Sequence, residues 1–281
     1  MKIMINILFS GNDKVWDGIA TCMLSILKRT ATKEPFSFFV MTMDASRIKP
    51  EYRPIHDEMI QKLADIAKTY HTDNRVVKID VTRLYEEEFA NCPNEQCYCS
   101  PYTLLRLFAD RIEEIPDKIL YLDVDTMFQR DVCLLYDIDI SGFEYAAAND
   151  HYGKYLISPG YINAGVLLLN MKKIRETGLL NKARNLICTK KLIFADQSAI
   201  IRSTTSRKLL PQRFNDQKFL HKHTIVRHFS KRLFYLPYPH TANIKQWNIE
   251  EIHRVFRYHQ FDDILEEYTK WKETKRERDI S

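Results

Sequence analysis

A chain of 281 residues can bury a full core, as one large α/β domain or as one domain with a small appendage. Hydrophobic residues at 45% and charged residues at 28% exclude a disordered chain, and a total of 7 glycines argues against long flexible linkers. Lys+Arg 42 against Asp+Glu 37 leaves +5, a balance that suits an anionic substrate but, without a basic-aromatic stripe, not nucleic acid.

Residues 3–9 read as a first strand. The apolar run is too short for a signal peptide, Asn6 interrupts it, and Gly11-Asn12-Asp13 turns the chain. No stretch approaches the roughly 18 apolar residues of a membrane span, so a cytoplasmic protein is expected. Residues 17–28 predict a helix with Ile19, Met23, Ile26 and Leu27 on one side, and 36–43 (FSFFVMTM) a buried parallel strand. Residues 52–70 have helical spacing through Ile55, Met59, Leu63 and Ile66, and 76–81 read as a third strand. This alternation predicts a parallel, doubly wound sheet. A polar loop or short helix over 85–100 carries Cys92, Cys97 and Cys99, whose spacing fits no ordinary zinc knuckle; with Cys22, Cys133 and Cys188 they are expected as free thiols. Residues 101–112 are helical, and 118–128 (KILYLDVDTMF) hold a strand at the sheet centre. Short strands over 145–149, 165–170 and 224–229 alternate with helical patterns over 171–190 and 197–202. Residues 1–247 form the expected main domain and 248–281 a helical, aromatic and charged extension.

Asp123 and Asp125 follow the apolar run Ile119 to Leu122 directly, where unpaired carboxylates carry a large desolvation cost. Residues two apart in an extended chain point the same way. Two carboxylates on one face at the carboxyl end of a strand, where ligands of open α/β sheets gather, make a site for a hard cation such as Mn2+ or Mg2+ and a diphosphate. Asp-x-Asp alone is a weak motif whose other reading is one or two surface turn acids, but its place directly after KILYL favours the cation site.

Three blocks in order, KILYLDVDTMF, YINAGVLLLNMKKIR and FADQS, resemble the pattern of glycosyltransferase family 8, which includes glycogenins and bacterial lipopolysaccharide galactosyl- and glucosyltransferases. The resemblance covers roughly residues 1 to 247. It implies a GT-A-type Rossmann-like α/β fold with a mostly parallel central sheet, a UDP-hexose donor, Mn2+ (or Mg2+), and transfer to a saccharide or lipid-linked acceptor with retention at the anomeric carbon.

Carried over residue by residue, Asp123 and Asp125 match the metal pair, with Val124 between them at the nucleotide-sugar. Arg106 matches an arginine near the donor sugar and diphosphate; read without the family it is a helix-surface charge. Asn163, Ala164 and Gly165 match a turn contacting the donor sugar, where glycine permits close backbone approach. Asp196 and Gln197 match the pair beside the reacting sugar, or else Asp196 caps a helix. An amide is a poor nucleophile, so a front-face substitution is more natural than a covalent intermediate on Gln197. Ser198, where some relatives carry an acid, removes a carboxylate nucleophile there. Asn12, Asp13 and Trp16 match the turn that holds the uridine, with packing at a helix start as the other reading of Trp16.

The family's third metal ligand is a histidine in H-x-x-G-x-x-K-P-W. Here the glycine is absent, Gln246 replaces the proline, and His228 and His240 compete. His228, ending an apolar strand, is preferred, and Lys245 matches the diphosphate lysine. Asp150 is placed where it could face the acceptor. Related bacterial enzymes meet membranes through basic, aromatic C-termini; Glu266, Glu267, Glu273 and Glu277 dilute that charge here, which favours a solvated helix over peripheral membrane contact. A sugar nucleotidyltransferase or a non-catalytic nucleotide-sugar-binding protein are the competing readings; the first lacks its Gly-rich N-terminal loop.

Overall fold

The computed structural model describes residues 4–95, 100–234 and 238–278, with side chains to residue 273; Cys97 and Cys99 of the cysteine cluster lie outside them. The strands are β1 (Ile5–Ser10), β2 (Phe36–Thr42), β3 (Arg75–Asp80), β4 (Lys118–Leu122), β5 (Thr126–Phe128), β6 (Tyr145–Ala148), β7 (Val166–Asn170), β8 (Arg207–Leu210), β9 (Val226–His228), β10 (Arg232–Phe234) and β11 (His240–Ala242). Longer helices are α1 (Trp16–Arg29), α2 (Asp57–Tyr70), α3 (Thr82–Phe89), α4 (Cys133–Tyr136), α5 (Gly153–Leu156), α6 (Met171–Thr177), α7 (Leu179–Thr189), α8 (Ala195–Ser203), α9 (Ile249–Glu251) and α10 (Asp262–Arg278).

One sheet takes the order β3-β2-β1-β4-β7-β6-β8, so β4 is its central strand, as its unbroken apolar run requires. Side chains alternate between two cores. Ile7, Phe9, Phe38, Val40, Leu120 and Leu122 face α1, α2 and α10. Leu8, Phe39, Met41, Ile119 and Tyr121 face α3, α6, α7 and α8. Both faces are therefore covered, which is the GT-A-type α/β arrangement with a mostly parallel central sheet.

Two details refine the sequence reading and two correct it. First, β7 runs antiparallel to both β4 and β6; a run such as VLLLN buries equally well in either direction, so its sequence carries no sign of the reversal. Second, the helix expected from residue 52 begins at Asp57. Pro54 disfavours helical backbone at Arg53, and Ile55 N–H instead donates to Thr42 Oγ1 at 3.0 Å. Third, the helix over 171–190 breaks at Gly178, whose left-handed φ of 68° ends α6 with its N–H on Ile174 O. Fourth, Pro101–Arg111 is a 3-10 helix rather than an α-helix, its start capped by Ser100.

The C-terminal segment is more firmly attached than a solvated tail. Phe261, Ile264, Leu265 and Tyr268 are buried in the core cluster shared with α1. Around them Arg29 pairs with Asp263 at 2.6 Å, Lys28 with Glu267 at 2.7 Å, and Tyr268 donates to Asp17 at 2.6 Å. Among the described residues no helix is long and apolar enough to cross a membrane.

Candidate active site

Three chain segments meet at one sheet edge because of strand direction. β1 and β4 are parallel neighbours, so the turns after Ser10 and after Leu122 leave from the same end. β7 is antiparallel to β4 and so enters from that end, bringing the Asn163–Gly165 turn beside Asp123. Asp123 N–H donates to Gly165 O at 2.7 Å, closing the contact.

β5 follows Asp125 at once and pairs with β9, placing His228 opposite Thr126. Phe229 N–H donates to Asp125 O at 2.7 Å and fixes this register at the acid itself. The result gathers one ligand atom each from Asp123, Asp125 and His228, all within 4.8 Å of one another. His228 Nε2 lies 3.0 Å from Asp125 Oδ1 and 3.9 Å from Asp123 Oδ2. His240, the competing candidate, is elsewhere: it belongs to β11, its Nδ1 meets Tyr238 O, and its ring stacks on Phe234.

Gly165 explains its own identity. A Cβ there would lie 2.4 Å from His228 Cε1 and 2.6 Å from Asp123 Oδ2, so any side chain would press on the imidazole and on Asp123. Lys245 Nζ reaches Asp125 Oδ2 at 2.5 Å. Burial pushes the Asp125 carboxyl up, but the Lys245 ammonium and His228 outweigh it and hold the group well below the usual carboxylate range.

Arg106 is no surface charge. It is 3% exposed, stacks over Tyr121 at 4.0 Å, and reaches Asp123 Oδ1 at 2.8 Å and Asp196 Oδ2 at 3.3 Å. Its remaining donors serve Thr103 O and Ala164 O. One planar guanidinium thus ties Asp123, the Asn163–Gly165 turn and the start of α8 together, which the five-donor fork of arginine can do and lysine cannot. Burial raises the Asp196 carboxyl, with Arg106 acting against it. Gln197 Oε1 accepts from Ala164 N–H at 3.0 Å, so its amide also belongs to this turn. Tyr121 hydroxyl, its pKa raised by burial, donates to Asp123 Oδ1 at 2.9 Å and meets Ser10 Oγ at 2.8 Å.

Asn215 was not visible as a site residue, and it sets the chemistry of His228. Gly165 N–H, which can only donate, points at Asn163 Oδ1 at 3.0 Å and so fixes which end of that amide is oxygen. The same oxygen takes Asn215 Nδ2–H at 2.9 Å. Asn215 Oδ1 is then the atom 3.0 Å from His228 Nδ1, which must carry a hydrogen to donate to it. That leaves Nε2 as the nitrogen facing Asp123 and Asp125, and in the neutral ring it is the one that offers a lone pair to an ion between them. The only sequence signal for this was a polar triplet, Asn215-Asp216-Gln217, ahead of an apolar strand.

The departures from the family pattern acquire reasons. Gln246 is fully buried and donates from Nε2 to Val124 O at 2.8 Å and Thr21 Oγ1 at 3.1 Å, pinning the loop between the two acids. Trp247 packs over Gly18, where a Cβ would meet its Cζ3 at 2.7 Å. Asn12 is buried at the end of β1 and hydrogen-bonds Tyr102, and Asp13 keeps a buried, unpartnered Oδ1. Trp16 donates from its indole to Met59 O at 2.9 Å and lines, with Asp13, Asp17, Lys62 and Trp271, a cavity of about 260 Å³. Asp150 accepts from Tyr152 N–H, Gly153 N–H and Asn163 Nδ2, which fixes the turn, and it lines a cavity of about 430 Å³ together with Asn163.

The model of glycosyltransferase family 8 matches residues 6–221. A Haemophilus influenzae protein described as a glycosyltransferase is 28% identical over 191 residues, 64% of this chain and 53% of its own length. Glycosyltransferase GlyF of Streptococcus pneumoniae is 24% identical over 165 residues, 58% of this chain and 37% of its own. The chain thus spans about half or less of these relatives. Among solved structures, the galactosyltransferase LgtC in complex with donor and acceptor sugar analogues has a TM-score of 0.67 at 19% identity, covering 95% of this chain and 96% of that one. The bifunctional glycosyltransferase WbbM gives 0.69 at 17%, covering 96% and 52%. With its strand order, its Asp123–Asp125 edge and this match over most of its length, the chain belongs to glycosyltransferase family 8.

Proposed function

We propose that this glycosyltransferase moves a hexose, glucose or galactose, from a UDP-sugar to a saccharide or lipid-linked acceptor, with retention, using Mn2+ or Mg2+ held by Asp123, Asp125 and His228. The observation that carries the reading is the convergence of these three ligand atoms within 4.8 Å. The residues fit such an ion in two further respects. His228 Nε2 faces Asp125 Oδ1 at 3.0 Å, and two carboxylates beside an imidazole nitrogen gain from a cation placed among them. Gly165 also keeps clear the space beside Asp123 Oδ2 and the His228 ring that a Cβ would fill. Two carboxylates and an imidazole are the mixed hard donor set that suits Mn2+. When bound, the ion supplies Lewis-acid stabilisation of the departing diphosphate.

The chain's own residues supply the rest. Arg106 and Lys245 already balance Asp123 and Asp125 in charge, so a divalent ion gives the edge the net positive charge that a diphosphate needs. Asn12 and the unpartnered Asp13 Oδ1 stand at the end of β1 for the uridine. Gln197, its carbonyl oxygen held by Ala164 N–H, is a poor nucleophile, and Asp196 is bound by Arg106. Neither group favours a covalent intermediate, and front-face attack by the acceptor accounts for retention.

The test is UDP release from UDP-glucose and UDP-galactose with Mn2+. Asp125→Asn should lower turnover by about 10²-fold or more, on the scale of losing a group that stabilises developing charge. Unchanged turnover in Asp125→Asn would remove the metal role. Tight UDP binding with neither hydrolysis nor transfer would leave a nucleotide-sugar-binding protein instead.

A further inference from the structure

The large apolar side chains that reach solvent are not scattered evenly. Tyr155 (77% exposed), Leu156 (79%) and Ile157 (51%) follow one another on α5, while Ile193 (82%) and Phe194 (38%) lead into α8. Phe194 meets the Tyr161 ring at 6.4 Å, bringing the two segments together. Leu156, Ile157 and Phe194 line a cavity of about 430 Å³ together with Asn163 of the donor turn, three cations, Lys218, Lys231 and Arg232, and one acid, Asp150. Charge is as one-sided as hydrophobicity: no Asp or Glu occurs in 151–159, 189–195 or 217–234, which hold Lys154, Lys190, Lys191, Lys218 and Lys222. In a chain with 37 acids, that leaves a cationic collar around an apolar rim.

Isolated exposed apolar residues need no explanation, but a contiguous group at a cavity mouth does. Apolar tips flanked by more lysines than acids complement an anionic lipid surface, where side chains enter the acyl boundary and ammonium groups meet headgroup phosphates. We propose that the α5 and α8 rims are a membrane-docking surface, turning the cavity beside Asn163 toward an anionic bilayer that presents a lipid-linked acceptor. This rests on the transfer reading for the acceptor, while the surface itself stands apart from it. The docking face is then the cavity mouth rather than the C-terminal helix, whose apolar residues are spent on α1.

Flotation of the full chain with vesicles of phosphatidylcholine, with and without 30% (about one lipid in three) phosphatidylglycerol, tests it. Binding to the anionic vesicles alone is expected. The double variant Tyr155→Ser/Ile193→Ser, which changes two exposed residues outside the cavity lining, should lose about tenfold or more of that binding. UDP binding measured in solution on the same protein should not change, so failure of docking and failure of the transfer reading remain separate results. No flotation of the parent chain overturns the proposal. So does equal binding by the double variant, or concentration-dependent self-association that the double variant abolishes without vesicle binding, which would assign the rim to a second copy of the chain.

Discussion

Replacing Asn215 by alanine tests whether a residue outside the ligand set governs the metal site. The side chain is wholly buried and carries two bonds, Nδ2–H to Asn163 Oδ1 at 2.9 Å and Oδ1 to His228 Nδ1 at 3.0 Å. Asn163 Oδ1 keeps its Gly165 donor in the variant, so the loss falls mainly on the imidazole, whose buried N–H has no partner. An orphaned buried donor costs about 1–3 kcal/mol of stability. Losing a partner that fixes a ligand's orientation typically weakens metal affinity by about 10–100-fold, or roughly 1.4–2.7 kcal/mol. Titration of Mn2+ followed by electron paramagnetic resonance of the free ion measures the second quantity, and thermal denaturation without metal the first. Asn215→Asp sharpens the experiment. Its carboxylate can still accept from Nδ1–H but cannot donate to Asn163 Oδ1, so it should bind Mn2+ more nearly like the parent while remaining destabilised. Parent-like Mn2+ affinity in Asn215→Ala, alongside a lowered melting temperature, would refute the relay and leave Asn215 a packing residue.

Gly165→Ala should abolish Mn2+ binding while leaving far-ultraviolet circular dichroism intact, because its Cβ would stand 2.4 Å from His228 Cε1; a variant that titrates normally would show the ligands can spread. Arg106→Ala strands Asp123 and Asp196 without their shared cation and should destabilise the fold by about 3–5 kcal/mol in urea denaturation. Arg106→Lys should recover part of that stability but little turnover, since a lysine cannot span both acids and Ala164 O. The Cys22 thiol is pushed up to about 12, first by burial, and its reactive thiolate forms only as pH rises toward that value. Iodoacetamide at pH 8 should therefore leave Cys22 unmodified in the native protein and label it after denaturation, as read by peptide mass.

What could be read from the residues alone follows the range of the interactions involved. β1, β2 and β4 are unbroken apolar runs buried on both faces, and such runs announce themselves locally. Asp123 and Asp125 stood out because carboxylates directly after such a run need a compensating charge. The direction of β7 was hidden, since reversal changes hydrogen-bond partners and not composition. The bonds of Asp150 to Tyr152 and Gly153 N–H, which hold its turn, leave no mark in the local pattern. The neighbours of Arg106 leave a helix-surface charge open, because its partners lie 17 and 90 residues further along the chain. Asn215 acts on His228 from 13 residues away and on Asn163 from 52, distances at which no local pattern forms.

The pairing of β4 with β7 has a consequence for where damage to this enzyme can originate. Leu122 faces Val166 across that ladder, so Asp123 meets Gly165 only in this alignment. Sliding β7 by two residues would preserve its buried face, yet carry Gly165 about 6.6 Å along the strand, farther than the 4.8 Å within which the three ligand atoms now stand. The sheet is thus a gauge as well as a floor. The outer strands β6 and β8 touch no ligand, but β6 holds β7 from its far side through Tyr145 and Ala146. Substitutions there can empty the cation site without altering a single residue in it.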